Sequence, residues 1–271
     1  MRSFTFTSLL AATLACSLLS IGCRKTNDND AAEDTGYATD YARFQRLSDN
    51  AEDLADNAAQ PTNSLLKTTS QCATVTHDTI SIPHVVTVDF GSTNCLCKDG
   101  KYRRGQIIMQ YTGHYADSGY QRQISFNQYF VNDNQLLGTK SVTNMGRNAA
   151  GQTYFSVSVN GSMILANGNG TRTWISARKR TWTAGEATAA RADDEYDITG
   201  SGTLTRANGK TFNMAITTPL HRSRSCDWIQ SGVMEITASG GAVRTLDFGT
   251  GSCDSTATLS WNGRTRTIQL P

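Results

Sequence analysis

Residues 155–182 read FSVSVNGSMILANGNGTRTWISARKRTW, and this stretch decides the fold class. Phe155, Val157 and Val159 alternate with Ser156 and Ser158, Asn167-Gly168-Asn169-Gly170 interrupts, and a second run extends from Thr171 to Trp182. A period of two sends successive side chains to opposite faces of an extended strand, whereas a helical face repeats every 3.6 residues. Asn-Gly supplies the positive φ angles of the tight turns that join antiparallel strands. The stretch therefore predicts two strands joined as a hairpin.

The same grammar continues in both directions. Ile124, Phe126 and Phe130 alternate with Ser125, Asn127 and Tyr129, and Phe212, Met214 and Ile216 repeat the pattern. Asn-Gly pairs start at Asn160, Asn167, Asn169, Asn208 and Asn262, with Asp99-Gly100 as a further turn signal. Thr, a β-branched residue that favours half-exposed strands, occurs 36 times. From residue 71 onward the pattern predicts an all-β domain, an antiparallel meander of about a dozen strands. Such a meander buries its apolar face by forming a sandwich or a partly closed barrel.

The N-terminal part differs. Arg2, the apolar run 9–21 and Gly22 ahead of Cys23 have the layout of a secretory signal. Leu19-Ser20-Ile21-Gly22-Cys23 resembles the bacterial lipobox, in which cleavage precedes the Cys and the Cys is diacylated. Without acylation, the same segment would end in cleavage near Ala15 or Gly22. Residues 24–36 are rich in Asn and Asp and lack large aliphatic side chains, as in a solvated tether. Next, Phe44, Leu47, Ala51, Leu54, Ala55 and Ala58 recur at helical spacing and Pro61 follows as a stop. The expected layout is a signal peptide over 1–22, a lipidated tether over 23–39, an amphipathic helix over 40–60 and the all-β domain over 61–271.

Charge divides along the same line. Residues 24–60 carry four basic and nine acidic side chains, net −5, while the chain from Pro61 onward carries 20 basic and 14 acidic, net +6. Solvated faces are the default reading, and attraction between arm and body is the alternative, screened beyond about 8–10 Å in salt.

One motif occurs twice. Val88-Asp89-Phe90-Gly91 followed by Cys95 is matched by Leu246-Asp247-Phe248-Gly249 followed by Cys253, and Cys72 and Cys226 precede the two copies. Related hairpin units are thus expected near 72–111 and 226–270. Cys16 leaves with the signal and Cys23 carries the lipid, so five thiols reach an oxidising compartment. The repeat favours Cys72–Cys95 and Cys226–Cys253 with Cys97 left over. The rival pairing joins Cys72 to Cys226 and Cys95 to Cys253, since connectivity does not follow from sequence.

Motifs of known chemistry are sparse. His77, His84, His114 and His221 lack metalloprotease or zinc-finger spacing, and the chain contains no nucleophile elbow, phosphate loop or dinucleotide-binding glycine set. No catalytic residue, metal or cofactor is assigned, and a hydrolase would need a site assembled from dispersed residues. Cys95-Leu96-Cys97 reads as part of a structural bridge, with a redox or metal pair as the alternative. Asp193-Asp194-Glu195 with Asp197, and the loop from Asp247 to Asp254, read as turn-capping carboxylates more readily than as calcium ligands. Arg172, Trp174, Arg178, Arg180 and Trp182 share one face of a strand. They are either a cation–π ladder in which arginines cover the indoles or an open platform for a glycan. A surplus of six positive charges is too small to suggest nucleic acid.

The motifs from Cys72-Ala73-Thr74 through Tyr111-Thr112-Gly113, Thr171-Arg172-Thr173-Trp174 and Ser225-Cys226-Asp227-Trp228-Ile229 to Asp247-Phe248-Gly249-Thr250-Gly251-Ser252-Cys253-Asp254 resemble a group of uncharacterised Bacteroidota lipoproteins. The resemblance covers nearly the whole mature chain and implies a Gram-negative envelope lipoprotein at the outer membrane; it carries no activity. The expectation is a non-enzymatic binding or structural module that meets the membrane through its N-terminal lipid. A glycan or another envelope protein is its expected partner.

Overall fold

The computed structural model describes residues 28–59 and 72–271, so the signal segment, Cys23 and Pro61 lie outside the described residues. One helix, α1 (Asp28–Ala58), precedes fourteen strands. These are β1 (Thr74–Asp78), β2 (His84–Asp89), β3 (Cys95–Leu96), β4 (Tyr102–Thr112), β5 (Gln121–Val131), β6 (Asn134–Arg147) and β7 (Thr153–Ile164). They continue as β8 (Thr171–Ala184), β9 (Glu195–Arg206), β10 (Thr211–Ser223), β11 (Ser231–Ala238), β12 (Val243–Thr250), β13 (Thr256–Trp261) and β14 (Arg264–Gln269).

All pairings are antiparallel, and the strands follow one another across a single sheet in chain order, with the two-residue β3 set beside β4. The strands form one curled sheet rather than the two facing sheets of a sandwich. It is not closed, because β1 and β14 are its two edges. Helix α1 runs inside the curl and meets side chains from strands spread across the sheet. Tyr37 stacks on Phe212 of β10 at 4.8 Å and Tyr41 lies 5.3 Å from Trp174 of β8. Phe44, Leu54, Ala55 and Ala58 share one apolar cluster with Val86, Ile107, Ile124, Leu246 and Ile268. Helix and sheet therefore form one core.

The helix is also longer than its apolar spacing predicts. It begins at Asp28 rather than Asp40, so most of the segment expected as a tether is helical. Tyr37, Ala38 and Tyr41 are buried against the sheet. Such tertiary packing, more than local propensity, fixes where a helix extends.

Most turn signals hold. Asp99-Gly100, Asn167 to Gly170, Asn208-Gly209 and Asn262-Gly263 all lie between strands. Asn160-Gly161 does not, because it sits within β7 with Gly161 in register with Gly138 of β6. A Cβ on Gly161 would lie 3.0 Å from the Phe44 ring, so this glycine admits the helix. The β5–β6 hairpin instead turns on Asn132-Asp133, with φ of 47° and 61°.

The repeated motif is repeated structure. Asp89 Oδ1 accepts from the Gly91 amide at 2.8 Å and Asp247 Oδ1 from the Gly249 amide at 2.8 Å, while Phe90 and Phe248 are both buried. Disulfides join Cys72 to Cys95 and Cys226 to Cys253, and Cys97 is a buried free thiol. Sequence separations of 23 and 27 residues correspond to roughly 3–4 kcal/mol each in the chain-entropy description. The rival pairing and the redox reading of Cys95-Leu96-Cys97 both fall to this arrangement.

Candidate functional site

Strand β8 alternates as its sequence predicts. Trp174, Ser176, Arg178, Arg180 and Trp182 point into the curl and are buried, while Ile175, Ala177 and Lys179 point outward and are exposed. The inward face is not open, because α1 lies across it. Trp174 is 1% exposed and Trp182 8%. Gly202 on β9 makes room for the Trp174 indole, whose ring carbons would lie 2.5 Å from a Cβ there. Trp182 sits in a second, smaller cluster with Val142, Phe155, Val157 and Tyr196, against which Tyr115 packs.

The arginines of this face meet the helix. Arg178 lies 5.3 Å from the Trp174 ring and 5.6 Å from the Tyr41 ring, which matches the cation–π reading at one of the two tryptophans. Arg172 Nε donates to Asp40 Oδ2 at 2.7 Å, and Arg206 of β9 donates to the same oxygen at 2.9 Å. Arg180 Nη1 donates to Glu52 Oε1 at 2.9 Å and its other Nη to the Tyr115 hydroxyl at 3.0 Å.

These contacts belong to a larger network that the charge division only hinted at. Asp49, Glu52, Asp53 and Asp56 recur at helical spacing and form one acidic stripe on α1. Opposite it stand Arg122 of β5, Lys140 of β6, Arg180 of β8 and Arg222 at the end of β10, together with Arg224 just beyond it and Arg191 from the β8–β9 connection. Lys140 pairs with Asp49 at 2.6 Å and also with Glu52. Arg222 pairs with Asp49 at 2.6 Å and Asp53 at 3.3 Å. Arg122 bridges Glu52 and Asp56, Arg224 bridges Asp53 and Asp56, and Arg191 reaches Asp56 at 3.0 Å. Salt screens the pairs of Asp49, Glu52 and Asp56 with Arg122, Lys140 and Arg180 little, because both partners are buried, whereas Asp53 and Arg191 are partly exposed.

The electrostatics follow from burial and partners together. Burial alone would raise the carboxyls, yet Arg222 and Lys140 hold Asp49 below the ordinary range. Against the same burial, Lys140, Arg180 and Arg122 hold Glu52 well below its own range. Asp56, facing Arg122, Arg191 and Arg224, is lowered to about 2. All three are ionised at neutral pH. At Asp194 burial outweighs the nearby Arg224 and Arg191 and pushes the carboxyl up.

Elsewhere the chemistry-bearing groups serve turns and pairs. His221 places Nδ1 2.9 Å from Asp197 and Nε2 3.6 Å from Glu195, so both ring nitrogens face carboxylates and neither faces a hydroxyl nucleophile. Asp193 accepts from the Thr188 hydroxyl, and Asp254 Oδ1 accepts from the Thr256 amide at 2.8 Å. No group of three or more metal-ligating side chains gathers among the described residues.

No family model, no curated protein and no solved structure matches this chain.

Proposed function

We propose that the chain is a non-enzymatic lipoprotein of a Gram-negative cell envelope, held at the outer membrane by acylated Cys23 and acting there as a binding or structural module. The observation that carries this reading is the sequence of Arg2, the apolar run 9–21 and Leu19-Ser20-Ile21-Gly22-Cys23. Helix α1 begins five residues after Cys23 in sequence and packs in the core from Tyr37 onward, so little chain separates an anchor at Cys23 from the fold. Two acyl chains with roughly 0.8 kcal/mol per buried CH₂ would make that attachment effectively permanent. The two disulfides fit an oxidising compartment.

Most of the inner face is covered by the helix and by the aromatic cluster around Trp182. Cover over Trp174 and Trp182 removes the open aromatic face that glycan recognition there would need. Fractionation of cells expressing the full precursor tests the reading. Wild-type protein should sediment with membranes and Cys23→Ser should not; an unchanged distribution rejects the anchored lipoprotein.

A further inference from the structure

Between the acidic stripe of α1 and strands β6 to β10 lies a cavity of about 40 Å³. One water needs roughly 10–15 Å³ on this scale, so the space suits a group of a few heavy atoms. Its floor is apolar, formed by Val157, Val159 and Ile198, and its charged lining is unbalanced. Lys140, Arg178, Arg180, Arg222 and Arg224 contribute five positive charges against three negative ones from Asp49, Glu52 and Asp53.

Arg178 is the exceptional member. It is nine-tenths buried, yet its hydrogen bonds go to neutral groups, Gln45 Oε1 at 2.8 Å and the Tyr41 hydroxyl at 3.1 Å. Its Nε has no hydrogen-bond partner, and neither has Nε of Arg180. The Ser176 hydroxyl, 5% exposed and two residues before Arg178 on the same inner face, also has none. Ser176, Arg178 and Arg180, alternate residues of β8, thus line one cavity, and each has a donor with no hydrogen-bond partner. The carboxylates that also line it are each ion-paired, Asp49 with Lys140 and Arg222, Glu52 with Lys140, Arg122 and Arg180, and Asp53 with Arg222 and Arg224, although Glu52 Oε2 accepts no hydrogen bond; none of the three pairs with Arg178.

A buried charge without a counter-charge is costly, and an oxygen acceptor carrying negative charge would satisfy both the charge and the orphaned donors. We infer that this cavity is a binding site for a small oxyanion, held by Ser176, Arg178 and Arg180 beneath α1. Carboxylate and inorganic oxyanions share that chemistry, and titration separates them.

The purified full chain is titrated calorimetrically with sodium phosphate, sulfate and acetate against sodium chloride at matched ionic strength. At least one oxyanion should give a saturable heat and a saturable rise in Tm that chloride does not. Saturation distinguishes binding from the general stabilising effect of sulfate. Response to acetate alone assigns a carboxylate, and response to phosphate or sulfate assigns an inorganic ion. Arg178→Gln and Ser176→Val should each weaken the response at least tenfold, while Arg147→Gln at an exposed ion pair should not. Should Arg178→Gln fail to fold, Ser176→Val decides alone. The inference is overturned by the lack of a saturable response to all three oxyanions, or by a response unchanged in the folded cavity variants.

Discussion

The two flanks of α1 are buried by different physics. On one, Tyr37, Tyr41, Phe44 and Leu54 enter the apolar cluster of the sheet. On the other, Asp49, Glu52 and Asp56 are as deeply buried but face arginine and lysine. Burying each large apolar side chain contributes about 1.5–3 kcal/mol. Burying an ion costs several kcal/mol before its partner offsets the loss, so a complete pair contributes little net stability. The apolar flank accounts for why the helix enters the sheet, and the ionic flank for where it stops. A slip of one turn, about 5.4 Å, would move every carboxylate away from its cations. The paired charges thus set register more than affinity.

This contrast predicts a large effect from either flank, with different causes. Trp174→Ala should cost roughly 3–5 kcal/mol by opening a cavity beneath Tyr41. Glu52→Ala should cost a similar ~3–5 kcal/mol, because it leaves Lys140, Arg122 and Arg180 short of a buried counter-charge. Urea unfolding monitored by far-ultraviolet circular dichroism measures both. A Glu52→Ala variant within 0.5 kcal/mol of wild type would place the stripe in solvent.

Acid should separate the flanks. Asp49, Glu52 and Asp56 have folded pKa values below their unfolded ones, so the stability they contribute is fully present above the ordinary carboxylate range and is lost as pH falls through the folded values, about 2 for Asp56. Asp56 alone contributes about 2 kcal/mol at 1.36 kcal/mol per unit. Stability measured from pH 6 to pH 2 should fall through this window, and Asp56→Asn should flatten the fall.

The outward face of β8 gives the smallest effect. Ile175 is 55% exposed, so Ile175→Ser should change stability by no more than about 0.5 kcal/mol, in contrast to its neighbour Trp174. A loss of several kcal/mol would mean that this face is covered.

The strands were legible because a half-buried sheet imprints a period of two, as at Phe155, Val157 and Val159, and because Asn-Gly and Asp-Gly mark most turns. The disulfides were legible because the Asp-Phe-Gly motif recurs at a fixed distance from cysteine. The helix start was misplaced, although Tyr37, Tyr41 and Phe44 already share helical spacing, because the Asn- and Asp-rich composition before them reads as a tether. The ionic interface had a usable signal as well. Acidic residues recur every three or four positions from Asp49 to Asp56, and basic residues alternate at Arg178 and Arg180 and again at Arg222 and Arg224. Each pattern alone reads as a solvated face, and only the curl of the sheet brings the two together. Parity placed Trp174 and Trp182 correctly on one face, but it cannot tell what covers that face.

Hydrogen exchange resolved by peptide tests the central claim, that α1 is a buried member of the core, most directly. A helix of this length standing alone would open freely, whereas one locked inside the sheet opens only with global unfolding. Amides over residues 40–56 should exchange as slowly as those of β8 at neutral pH. Exchange of the helix orders of magnitude faster than β8 would contradict the account.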